Sequence, residues 1–144
     1  MQQLNISIMK KLFSTRYSEL SFNLSMFLIR LGFGIIIFLN HGMMKLNNYS
    51  QLKESFSDPL HVGHSGSLMI AIFAEIFCSA LLVLGLLTRL AALVLAILLL
   101  TVVFVIRKNK PFLDSELPIL YLIGFLTVLF CGPGKWSMDR WIGK

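Results

Sequence analysis

Two ionisable side chains stand well inside otherwise apolar stretches of the chain: Arg30 within 22–40 and Glu75 within 67–87. A charge held in hydrocarbon is costly, so such groups pair with one another, line water or serve a function. A guanidinium and a carboxylate can form a bidentate pair, the arrangement best suited to low dielectric. With a rise of 1.5 Å per residue, Arg30 lies about 12 Å past Phe22 and Glu75 about 12 Å past Ser67 on a helix running the opposite way. Across a core about 30 Å thick their levels differ by about 6 Å, within reach of an arginine. The expectation is that Arg30 and Glu75 meet in the interior. Two readings of that pair stay open: a ligand-binding or proton-linked site in which Glu75 titrates, or a fixed ion pair that sets helix register.

A second polar group gathers at the far end of the first apolar stretch. His41 and Lys45 follow Arg30 on the same helical face, one turn apart. His61 and His64 precede the second stretch, and Glu116 opens the fourth on the same side. Three histidines suit a transition metal in principle. No pair here has the i, i+4 spacing of a helical ligand set, so no metal is expected. A polar mouth for a ligand headgroup, formed by His41, Lys45, Glu75 and Glu116 with Arg30 below, is the expected site.

The elements that must carry these groups follow from hydropathy. Apolar runs at about 22–40, 67–87, 90–106 and 117–131 make the chain, 144 residues with 56% hydrophobic and 14% charged, a membrane protein. Soluble domains are nearer half apolar and a quarter charged. The expected fold is all-α: an integral membrane four-helix bundle over 22–144, preceded over 1–21 by a short amphipathic interfacial helix. In that N-terminal segment Met9, Leu12, Phe13, Tyr17 and Leu20 oppose Lys10, Lys11 and Arg16. No small-residue cleavage site follows the first apolar run, so that span reads as retained.

Between the first two spans, Leu46, Tyr49, Leu52 and Phe56 predict a short surface helix ending before Asp58-Pro59. Gly85 to Arg89 reads as a tight hairpin turn. Pro118 is placed in the first turn of the fourth span. Gly132-Pro133-Gly134 reads as a turn, with Trp136 and Trp141 as interfacial anchors. Cys78 and Cys131 read as small packing residues.

The net charge of +6 comes from short clusters between spans rather than a long basic stripe with interleaved aromatics, which argues against nucleic acid and for lipid headgroups. Seven Lys and Arg (10, 11, 16, 89, 135, 140, 144) share one side with both termini, against five (45, 53, 107, 108, 110) on the other. Both termini are therefore expected in the cytoplasm. No P-loop, Rossmann, nucleophile-elbow or HExxH pattern is present, so the chain carries no self-contained catalytic constellation.

The run Arg30…Gly34…Phe38-Leu39-Asn40-His41-Gly42…Lys45-Leu46, then Ala74-Glu75, Leu84-Gly85-Leu86-Leu87-Thr88-Arg89, and Cys131-Gly132-Pro133-Gly134-Lys135-Trp136-Ser137-Met138-Asp139 resembles the DoxX family. The likeness covers about residues 25–140. It implies a small four-span protein of a bacterial or archaeal cell (inner) membrane. Some members are subunits of thiosulfate:quinone oxidoreductase. Others associate with redox-stress enzymes.

The resemblance thus implies at most a membrane subunit of a quinone-linked oxidoreductase, with quinone as the candidate small ligand near Arg30, His41 and Glu75. A soluble or membrane redox partner and a second copy of the chain are the candidate protein partners. This sequence departs from the family at the end of span three, where Arg107-Lys108-Asn109 stands in place of a histidine. The alternatives are a non-enzymatic membrane scaffold or assembly partner and a small transporter.

Overall fold

The computed structural model describes residues 18–143. The amphipathic helix expected over residues 6–20 lies almost wholly outside the described residues. Within them, α1 runs Glu19–Asn47, α2 Tyr49–Leu52, α3 His64–Leu84, α4 Thr88–Ile106, α5 Phe112–Cys131 and α6 Met138–Ile142. Four of these, α1, α3, α4 and α5, are long and apolar enough to cross a bilayer. They close into a ring in which each helix packs on its chain neighbour and α5 returns to α1. Their outer faces present Leu28, Ile35, Phe73, Phe104 and Phe130 to the surroundings, as lipid-facing helices do.

The centre is built from Met26, Ile37, Leu82, Ala92, Leu95, Ala96, Leu122, Phe125 and Val128. Small residues let the backbones approach. A Cβ on Gly34 would meet the Ser79 carbonyl oxygen at 3.3 Å, and one on Gly42 would stand 3.2 Å from the Glu75 carbonyl carbon. These two contacts set the register of α1 against α3. Cys78 packs in the core, whereas Cys131 is exposed at the end of α5, so only the first serves as a packing residue.

The hairpin expected at Gly85 is present. Gly85 takes φ +74° and Leu86 donates back to the Leu81 carbonyl at 2.9 Å, which closes α3 in the six-to-one manner of a left-handed cap. Other boundaries differ from expectation. The first helix does not stop near His41 but continues through a π-helical stretch, Ile37–Met43, to Asn47. The surface helix shrinks to Tyr49–Leu52. In α5 the start moves back to Phe112, leaving Pro118 inside the helix rather than in its first turn. Hydropathy marks where a helix is apolar. It does not mark where the backbone ladder ends.

Candidate functional site

The charged groups are sorted by that register. Gly42 faces Glu75 and Gly34 faces Ser79 and Val83, so Arg30 falls level with the α3–α4 turn. Arg30 and Glu75 are thus separated by about eleven residues of helix, roughly 17 Å along the axis. The expected Arg30–Glu75 pair does not form. Hydropathic ends misplace Arg30 because α1 overhangs α3 at its N-terminal end, which moves Arg30 from the centre of the bundle to its rim.

There Arg30 is 1% exposed and donates to the carbonyls of Trp136 at 2.6 Å and Leu82 at 3.4 Å. The segment after α5 tucks under the overhang. The Lys135 amide donates to Asn23 Oδ1 at 2.6 Å, and Lys135 Nζ pairs with Glu19. Ser137 donates to the Gly134 carbonyl at 2.9 Å. Asp139 accepts from the amides of Leu87 at 2.6 Å and Thr88 at 2.8 Å, capping α4 from a distance, while its own amide donates to the Gly85 carbonyl at 2.8 Å. A free helix N-terminus leaves amides unbonded and favours negative charge, which is what a fork-like carboxylate supplies. Asn23 and Asp139 were not singled out as polar-core residues from sequence. The donors to both are main-chain amides brought close only by folding.

The partner of Glu75 is Lys45. Side chains lean toward their helix's N-terminus, so Lys45 reaches back one turn from its Cα to the level of Gly42. Its Nζ pairs with Glu75 Oε1, with side chains 17% and 6% exposed respectively. The Phe56 ring centroid lies 5.9 Å from the ammonium. Glu75 Oε2 has no hydrogen-bond partner among the described residues. Both partners sit near π-helical turns: Ile37–Met43 just below Lys45, and Ala74–Cys78 holding Glu75. Such turns recur at functional sites because the widened helix re-aims a side chain.

The pair borders a cavity of about 200 Å³ between α3, α4 and the loop after α2. Ala71, Ala74, Val94 and Leu98 line its walls, and a third π-helical stretch, Val102–Ile106, lies along its far end. Exposed Leu60, Ile70 and Ile97 form a rim facing the lipid side. The loop is held by Asp58, which accepts from Ser67 Oγ at 2.6 Å and from the amides of Gly63 at 2.8 Å and Val62 at 3.1 Å. Those donors hold its carboxyl below the usual 3.8, the Ser67 hydroxyl most strongly.

The remaining expected site residues lie elsewhere. His41 is half-buried on another face, edge-on to Tyr121 with ring centroids 5.9 Å apart. Glu116 is exposed on α5 and forms no ion pair among the described residues. His61 is exposed in the loop, and His64 Nδ1 bonds the Phe56 carbonyl at 2.6 Å. No cluster of three metal-ligating side chains occurs among the described residues. Of the five expected residues, Lys45 and Glu75 come together at a cavity. Chemically, that pairing offers a carboxylate acceptor and an ammonium donor at the end of an apolar chamber.

The family model described as DoxX matches residues 25–108, a stretch that includes Arg30, Lys45 and Glu75. An uncharacterised membrane protein of Mycobacterium tuberculosis is 32% identical over 137 residues, covering 83% of this chain and 82% of the relative. No solved structure matches the chain. The sequence motifs, the four spans and these similarities together make the chain a multi-pass membrane protein that belongs to the DoxX family.

Proposed function

We propose that this protein is a membrane subunit of a redox system that holds a quinone-like or comparable small amphiphile within the bilayer. The observation that carries the reading is the Lys45–Glu75 pair, largely withdrawn from solvent, with one carboxylate oxygen unpartnered among the described residues, at the wall of an apolar cavity rimmed by lipid-facing residues. Ligand sites are mostly apolar with a few convergent polar groups, and this one has that composition. The polar headgroup would lie against Lys45 and Glu75 and the apolar body against α3 and α4. Arg30 serves the fold rather than the ligand in this reading, and electrons come from a partner protein.

The proposed location is the cytoplasmic membrane of a bacterium or archaeon with both termini inside. By sequence segment, seven Lys and Arg are counted with the termini, and the opposing five fall to four once Lys45 is counted in its pair with Glu75.

Native purification in mild detergent, followed by mass spectrometry of retained small molecules and proteins, tests the reading. A quinone or similar amphiphile should co-purify and be lost when Ile97→Trp obstructs the rim. Identical retained molecules in both proteins would overturn it. A scaffold reading is favoured by a different observation, the dense bonding of Arg30, Trp136 and Asp139 at the termini's end. It predicts that partner proteins are retained while no small molecule responds to Ile97→Trp.

A further inference from the structure

The polar complement of the cavity narrows the chemistry of what enters it, an inference that rests on the cavity being a ligand site. Two hydroxyls line it, and both are already donating: Ser67 to Asp58 Oδ1 at 2.6 Å and Thr101 to the Ile97 carbonyl at 3.0 Å. What stays uncommitted among the described residues is Glu75 Oε2, an acceptor, and the ammonium protons of Lys45 beyond the one given to Oε1. Glu75 is 5% exposed, so its open oxygen is not served by bulk solvent. A carbonyl or ether oxygen on a ligand would satisfy Lys45 and leave Oε2 bare. A hydroxyl satisfies both, donating to Oε2 and accepting from Lys45.

Volume sets the second limit. An apolar cavity of about 150 Å³ takes benzene. The 200 Å³ here, open on its rim side, seats one substituted ring. The tail leaves across Ile70 and Ile97, both exposed.

We infer that the site between α3, α4 and the 53–63 loop binds an amphiphile with a single-ring, hydroxyl-donating headgroup, the phenol class, through Glu75 Oε2 and Lys45 Nζ. The test uses the full chain in phosphatidylcholine nanodiscs with two probes that differ in one proton donor, 4-octylphenol and its methyl ether 4-octylanisole, read as ligand-dependent shifts of the unfolding temperature. The phenol should bind about 10–100-fold more tightly, the worth of one hydrogen bond to a charged group.

Lys45→Met combined with Glu75→Leu should bring the phenol down to the ether's level. Ile97→Trp, at an exposed position on the rim, should weaken both probes. Equal binding of the two probes, or a preference that survives the double substitution, overturns the hydroxyl contact while leaving the cavity as a ligand site. Absence of binding by either probe, with retained amphiphiles also indifferent to Ile97→Trp, overturns this inference and the proposed function together.

Discussion

Arg30 on α1 donates to the main-chain carbonyl of Trp136 at 2.6 Å, joining positions 106 residues apart in the chain. The same guanidinium reaches the Leu82 carbonyl, and a Cβ placed on Gly85 would collide with its Nη1. One side chain thus ties the first helix, the α3–α4 turn and the C-terminal segment together. Asp139, on the same C-terminal segment, clamps that turn from its other side through the Leu87 and Thr88 amides.

Arg30→Met should therefore loosen the termini's end of the bundle. Removing two bonds from a charged donor, one of them long, is expected to cost about 2–4 kcal/mol. Thermal unfolding in detergent measures the loss, and limited proteolysis should find new cleavage after Cys131. Lysine at this position keeps the charge but lacks the planar fork, so Arg30→Lys should recover only part of the stability. A full recovery would show that charge alone matters there.

The Lys45–Glu75 pair predicts a strongly non-additive mutant cycle. Lys45→Met alone leaves a buried carboxylate without its counter-charge and should cost about 3–5 kcal/mol. Adding Glu75→Leu should return most of that loss, because two apolar side chains replace two buried charges. Unfolding of the two single variants and the double variant gives the coupling energy directly. Additive losses would mean that the two groups do not share a contact in the membrane.

Asp139 caps α4 although it lies 51 residues beyond Thr88. Asp139→Ala should cost about 1–2 kcal/mol, the scale of a lost helix cap. Hydrogen exchange should locate the effect in the amides of Leu87 and Thr88 rather than in α6. Protection unchanged at those amides would argue that the cap contributes nothing in solution.

Asp58 gives the loop over the cavity a pH dependence. Its carboxyl is held below the ordinary 3.8 by the Ser67 hydroxyl and by the amides of Gly63 and Val62. A lowered folded value means that the charged form is favoured in the folded loop, so the stabilisation is complete above 3.8. It fades as pH falls through the lower, folded value. Amide exchange at Val62 and Gly63 should accelerate in that acid window, and Asp58→Asn should show the fast exchange at every pH. An unchanged acid profile in Asp58→Asn would assign the titration to another group.

Much of the architecture was legible in the residues themselves. Four apolar runs of bilayer length report their own helices because hydropathy is a local property. The hairpin at Gly85 is equally local: a glycine at a helix end adopts positive φ without a side-chain clash. The π-helical continuation through His41 was hidden, since no composition rule separates a widened turn from the end of a span. For the same reason the apolar run 22–40 did not reveal that Lys45 belongs to the last turns of α1.

Partner choice among the charges was a different kind of question. Sequence alone determined that Arg30 and Glu75 could not face lipid unassisted, and both are indeed buried. Which groups satisfy them was decided by the axial offset of α1 against α3, and that offset comes from close contacts at Gly34 and Gly42. A shift of one turn moves a side chain by about 5.4 Å, enough to exchange one ion-pair partner for another. Hydrophobic length constrains a helix only to within a few turns, whereas packed small residues admit one register. That is why the chain's membrane character and element order could be read directly, while the Lys45–Glu75 pair and the Arg30–Trp136 tie emerged only with tertiary structure.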